Sequence, residues 1–126
     1  MERNNKSVLI VEDDSDLRYL LSARLVSVGY RVYEAVNGWE ALDQMENHSI
    51  DAVLTDSHMP GMNGLGLLSV CRVKWPGVPV VFFSGEQDDM AHEAVVRGAF
   101  AWVRKGSDLT ILLEFLDHAI QQSVPV

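Results

Sequence analysis

Four apolar runs in the sequence each stop at a side chain able to do chemistry. Val8-Leu9-Ile10-Val11 runs into Glu12-Asp13-Asp14, and Ala52-Val53-Leu54-Thr55 runs into Asp56. Val78-Pro79-Val80-Val81-Phe82-Phe83 stops at Ser84-Gly85, and Ala101-Trp102-Val103-Arg104 stops at Lys105. Carboxylates gathered in one place repel one another. A hard divalent cation with oxygen ligands removes that repulsion, and Mg2+ typically takes one or two carboxylates together with waters and phosphate oxygens. A carboxylate can also act as a nucleophile toward phosphorus, giving an aspartyl-phosphate. The phosphoryl oxygens then need positive charge and donors around them, which Mg2+, the Lys105 ammonium and the Ser84 hydroxyl could supply. These residues are the parts required for Mg2+-assisted phosphorylation of an aspartate, provided that the fold assembles them.

The pattern of the chain predicts that it does. Val8–Val11 does not alternate in polarity, as expected of a central parallel strand buried on both faces. Leu17, Leu20, Leu21, Leu25 and Val28 follow at helical spacing, with Asp14 or Ser15 as cap and Gly29 as stop. A second strand is expected over Tyr30–Ala35 and, after the Asn37-Gly38 turn, a helix over Trp39–Asn47 with Ala41, Leu42 and Met45 inward. The third strand ends at Asp56. A loop of turn formers, Met59-Pro60-Gly61-Met62-Asn63-Gly64, then leads to a helix with Leu67, Leu68, Cys71 and Trp75 on one face. Pro79 fits near the start of the fourth strand. Its helix is expected over Glu86–Arg97, with Met90, Ala94 and Val95 as the apolar side. The last helix carries the stripe Leu109, Leu112, Leu113, Leu116 and Ile120. Alternating strands and helices predict an α/β fold: a doubly wound parallel sheet with helices on both faces and right-handed crossovers. In such sheets ligands bind beyond the carboxyl ends of the strands, where the strand order switches. That rim is where Glu12, Asp13, Asp56, Ser84 and Lys105 would meet.

The 126 residues predict a single domain over 1–126, with a core of about 7–122 and a short tail at 123–126. One cysteine, Cys71, rules out an internal disulfide and a cysteine-based zinc site. Ten Lys and Arg against 18 Asp and Glu give a formal charge of −8, which argues against non-specific binding to nucleic acid or acidic membrane. The first residues, Met1-Glu2-Arg3-Asn4-Asn5-Lys6, lack the apolar stretch of a signal peptide, and no apolar run approaches the ~20 residues of a membrane span. The expected location is the cytoplasm.

In combination the motifs resemble the receiver domain of two-component response regulators, of the chemotaxis-regulator type. The resemblance runs from about Val8 to Ile120. It rests on Val11-Glu12-Asp13-Asp14, on Gly29-Tyr30 and Asn37-Gly38-Trp39-Glu40-Ala41-Leu42, on Asp56-Ser57-His58-Met59-Pro60-Gly61-Met62-Asn63-Gly64, on Ser84-Gly85, and on Gly98-Ala99-Phe100-Ala101-Trp102-Val103-Arg104-Lys105. It implies a flavodoxin-like sheet in the order 2-1-3-4-5. It implies Asp56 as phosphoacceptor, taking its phosphoryl group from a histidine kinase or a histidine phosphotransfer protein and switching a downstream output protein or domain. Asp13 resembles a direct Mg2+ ligand alongside Asp56, Glu12 a ligand acting through water, and the backbone carbonyl of His58 the third protein ligand. Ser84 resembles the switch hydroxyl and Lys105 the ammonium, each taking a phosphoryl oxygen. Trp102 stands where a smaller ring usually turns inward on activation. A receiver of this kind is a phosphoprotein switch and not itself an enzyme. Two departures stand out. Trp102 is larger than the usual Tyr or Phe, and Gly106 replaces the proline that usually follows the lysine in a cis peptide. Since a non-proline cis bond costs about 2.5–4 kcal/mol, the Lys105–Gly106 bond is expected to be trans, with glycine turning the chain through its freedom in φ.

Plainer readings compete residue by residue. Asp56 alone would read as a turn cap at a strand end, and only its company at the other strand ends makes it a site. Asp14, Asp16, Glu86, Asp88 and Asp89 read better as helix N-terminal charges. His48, His58, His92 and His118 lack metal spacing. Cys71 reads as core, and Trp39 and Trp75 as half-buried cover. Two other functions fit part of the pattern. A receiver-like interaction domain that is never phosphorylated would need no such set of site residues. A Mg2+-dependent phosphohydrolase would be expected to carry an aspartate where His58 stands.

Overall fold

The computed structural model describes Arg3, residues 5–85 and residues 89–122. Strands and helices alternate as β1 (Ser7–Val11), α1 (Ser15–Ser27), β2 (Arg31–Ala35), α2 (Gly38–Asn47), β3 (Ala52–Thr55), α3 (Gly64–Lys74), β4 (Val80–Ser84), α4 (Asp89–Val96), β5 (Ala101–Arg104) and α5 (Leu109–Gln122). All strand pairs are parallel, and the sheet runs β2-β1-β3-β4-β5. The expected architecture and strand order are therefore the observed ones.

The apolar run of β1 is continuous because the strand is central and covered on both sides. Val8 and Ile10 enter a core with Leu21 and Leu25 of α1 and Leu112, Leu113, Leu116 and Ile120 of α5. Leu9 and Val11 enter a second core with Ala41 and Met45 of α2, Leu67, Leu68 and Cys71 of α3, and Ala94 of α4. Each fully buried leucine contributes about 1.5–3 kcal/mol of hydrophobic stabilisation. Helix starts after the strand ends are fixed by short polar side chains. Asp14 Oδ1 accepts from the amides of Asp16 (2.9 Å) and Leu17 (3.2 Å), which assigns the cap of α1 to Asp14 rather than Ser15. Asn37 caps α2 and Asn63 caps α3 in the same way, accepting from Glu40 N and Gly66 N.

Several details differ from the sequence reading. Leu20 lies on the exposed side of α1, and Val95 of α4 is 55% exposed, so neither belongs to the core. Trp39 is not half-buried but 62% exposed. Strand β4 begins at Val80, two residues later than expected, and Tyr30 precedes β2 as a buried side chain bonded to Asp117. The expected start of α4 at Glu86 and the tail at 123–126 lie outside the described residues. Among the described residues, no helix is long and apolar enough to cross a membrane.

Candidate functional site

The backbone ladder carries the chemistry to one rim. The β1–β3 pairing continues one residue past the strands through Asp56 N to Val11 O (3.1 Å), which sets Asp56 beside Glu12. The β4–β5 pairing continues through Lys105 N to Ser84 O (2.8 Å), which sets Lys105 one residue beyond the Ser84–Arg104 pair, on the same rim. Strand order reverses between β1 and β3, so Glu12, Asp13 and Asp56 flank the crevice where ligands of such sheets bind.

Asp56 is only 7% exposed. Its Oδ1 accepts from the Ser57 amide at 2.7 Å, and its Oδ2 accepts from Lys105 Nζ at 3.2 Å. Glu12 is buried too, with Oε1 at 3.2 Å from Lys105 Nζ and Oε2 accepting from the Asp14 amide at 3.1 Å. Burial is the main cause that pushes the Glu12 carboxyl above its ordinary pKa. The Asp56 charge adds to the rise, while the Asp14 amide and Lys105 oppose it. Burial alone would lower the Lys105 ammonium, but the Asp56 charge and the bonds to Glu12 outweigh it and hold its pKa above the ordinary value.

Asp13 is exposed, and oxygens of Glu12, Asp13 and Asp56 lie within 4.8 Å of one another. This donor set is all oxygen, the Lys105 ammonium lies against Glu12 and Asp56, and Asp13 opens to solvent. It fits a small hard cation that keeps part of its water shell, such as Mg2+. Asp14 is not part of the cluster as a side chain, and it acts through its amide and as the α1 cap.

Ser84 is fully buried, and its Oγ lies 2.6 Å from Ser57 Oγ. Trp102 is half-buried and stacks on Phe82, with centroids 5.0 Å apart and planes 12° apart. His58 follows in the β3–α3 loop with an exposed side chain. The Lys105–Gly106 bond is trans. Ser107 N bonds to Arg104 O at 3.1 Å across Lys105 and Gly106, and Gly106 takes φ +92°. A type II turn requires such a positive φ at its third residue. Gly64 allows a different closeness: a Cβ there would stand 2.6 Å from the Asp56 carbonyl oxygen, so the start of α3 packs directly under the site.

Two contributors escaped the sequence reading. Arg18 of α1 donates Nη1 to the Glu12 carbonyl at 2.8 Å and Nε to Glu34 at 3.1 Å, anchoring the backbone that carries the acidic pair. Ser57 holds Asp56 through its amide and Ser84 through its hydroxyl. Its only sequence signal is its position two residues beyond Thr55, where the alternation of β3, continued past its end, puts it on the same side.

The response regulator receiver domain family matches residues 8–117. The transcriptional regulatory protein GlrR of Escherichia coli is 34% identical over 99% of this chain and 28% of its own length. The chain spans about a quarter of the length of the curated relatives it matches. A response regulator receiver domain protein from Clostridium thermocellum has 30% identity and a TM-score of 0.88, covering 93% of this chain and 95% of that one. The response regulator TrrA of Thermotoga maritima, in complex with Mg2+ and BeF, has 27% identity and a TM-score of 0.84, covering 90% of this chain and 98% of its own. The family match begins at the second residue of β1 and ends within α5, and so takes in every strand end that carries a site residue: the chain belongs to the response regulator receiver domain family.

Proposed function

We propose that the protein is a signalling receiver phosphorylated on Asp56. The observation that carries this reading is the position of the Asp56 carboxylate, nearly buried at the strand-order switch between two acids and the Lys105 ammonium. In the transfer, a carboxylate oxygen of Asp56 attacks the phosphorus of a phosphohistidine on a kinase or phosphotransfer protein. The new O–P bond forms as the P–N bond breaks, its electrons go to the imidazole nitrogen, and the ring takes up one proton from solvent. When bound, Mg2+ supplies charge neutralisation between the acids and the incoming phosphoryl oxygens.

The remaining work falls to this chain. Asp13, Asp56, the His58 carbonyl and, through water, Glu12 would hold the ion. Lys105 has three donors on one nitrogen, so it can retain a carboxylate and still reach a phosphoryl oxygen. The Ser84 hydroxyl takes a second phosphoryl oxygen, and movement of Ser84 would be felt by Trp102, whose strand β5 pairs with β4. A bound group shifts such an equilibrium only by its differential affinity for the two states. The partners of this reading are a histidine kinase or phosphotransfer protein upstream and an output domain or protein downstream, with no direct contact to nucleic acid or membrane and a cytoplasmic location. Incubation with phosphoramidate and Mg2+ tests it. One phosphoryl group per chain is expected by intact mass, with none in Asp56→Asn. Labelling that survives in the variant, or multiple turnover of the donor, contradicts it.

A further inference from the structure

We infer that Ser57 is a positioning residue for the switch hydroxyl: its Oγ latches Ser84 in the resting protein, and the latch opposes closure of Ser84 onto a phosphoryl group at Asp56. This rests on the reading of Asp56 given above. The β3–β4 register pairs Val53 with Val80 and Thr55 with Phe82, and its continuation sets Ser57 opposite Ser84. Val53, Val80 and Phe82 point into the core beneath α2, α3 and α4, and strand alternation puts the two serines on that same side. There Ser57 Oγ and Ser84 Oγ meet at 2.6 Å, both residues fully buried. The Asp56 carboxylate is drawn instead toward Lys105, whose ammonium also holds Glu12.

The backbone of Ser57 is anchored on both sides and does not follow Ser84 when it moves. Its amide donates to Asp56 Oδ1 at 2.7 Å, and its carbonyl accepts from Gly64 N at 3.0 Å. Gly64 is itself wedged against the Asp56 carbonyl and the Phe82 ring. A serine hydroxyl has one proton, and phosphoryl oxygens only accept. If Ser84 is the donor to Ser57, turning it toward the phosphoryl group spends that bond; if Ser57 is the donor, the turn lengthens it, because the Ser57 backbone is fixed. A net hydrogen bond corresponds to a factor of about 2 to 12 in an equilibrium constant. The latch thus sets how readily the domain switches, without touching the acids.

The test is calorimetric titration with trifluoroberyllate, a phosphoryl mimic, at saturating Mg2+, on wild type, S57A, S84A and S57A/S84A. S57A is expected to bind the mimic about 2- to 12-fold more tightly. Its Mg2+ affinity without the mimic should not change, and the gain should vanish in the S84A background. Ser57→Cys keeps the volume with only a weak S–H donor; it is expected to shift affinity in the same direction and replaces S57A if that variant does not fold. Metal-free urea unfolding of the same four proteins reads the bond itself, since S57A should lower the folded-to-unfolded ratio more when Ser84 is present than in S84A. Unchanged or weaker mimic binding in the Ser57 variants, or a gain that persists without the Ser84 hydroxyl, overturns the latch alone. A wild type that binds no mimic overturns the reading of Asp56 and the latch with it.

Discussion

Lys105 is the only cation within salt-bridge distance of Glu12 and Asp56 among the described residues, and its replacement by Met isolates what it does. Met retains the unbranched stem and removes the charge. In the metal-free protein the ammonium sits 3.2 Å from Glu12 Oε1 and 3.2 Å from Asp56 Oδ2. At an effective dielectric constant of about 20, each contact has a Coulomb energy of ~5 kcal/mol, an upper bound before desolvation. The Lys105 side chain is 26% exposed, so it surrenders much of its hydration, and charge-assisted hydrogen bonds retain about 1.5–3 kcal/mol net. Removing the ammonium also leaves two nearly buried carboxylates facing each other, which drives the loss toward the upper end of that range. Lys105→Met should therefore cost about 2–3 kcal/mol at pH 7. With a urea m-value of about 2 kcal/mol/M, the unfolding midpoint falls by roughly 1–1.5 M. In an Asp56→Asn background only Glu12 retains a charged contact, and the cost should drop by about half. Urea unfolding in EDTA measures all four proteins. An unchanged midpoint in Lys105→Met, or the same shift with and without the Asp56 charge, would refute the reasoning.

Gly106→Ala meets no atom within 4 Å, so its cost is the left-handed backbone alone. About 1–2 kcal/mol of stability should be lost by urea unfolding, with Mg2+ affinity retained. At Asp117, burial would raise the carboxyl pKa, but hydrogen bonds from Arg3 and Tyr30 outweigh it and hold the value below the ordinary carboxylate range. A depressed folded pKa contributes stability that is present above the unfolded value of about 3.9 and is lost as pH falls through the folded value; a pH series of unfolding midpoints on wild type and Asp117→Asn should converge at the acid end. The Cys71 thiol is buried and pushed up to about 11, so at pH 7 a thiol reagent should label it only as fast as the protein opens, and added urea should accelerate the reaction.

The strands and their terminal residues were legible because the signal is local: a run buried on both faces is apolar throughout, and the polar residue that follows has nowhere to go but the rim. The helices were less so. Val95 and Leu20 occupy helical spacing like their buried neighbours, yet Ala94 and Leu21 are buried and they are not; spacing names a stripe without fixing its width. Trp39 shows the same limit, since a large ring raises the expectation of burial that α2 does not meet. Ser57 was overlooked for a non-local reason. Its partner lies 27 residues away, and only the β3–β4 register brings the two hydroxyls together. The trans bond before Gly106 was readable in advance because peptide-bond energetics favour it and the freedom of glycine in φ lets the chain turn without a cis bond.

The most direct test of the central claim is to locate the phosphoryl group. Protein treated with phosphoramidate and Mg2+ is reduced with borohydride, which converts an aspartyl-phosphate to homoserine, and the peptides are read by mass spectrometry. The expected result is homoserine at position 56, dependent on Mg2+ and strongly reduced in Asp13→Asn. Homoserine at Asp13 or Asp14, or phosphate retained on a serine or histidine with Asp56 unmodified, would contradict the assignment.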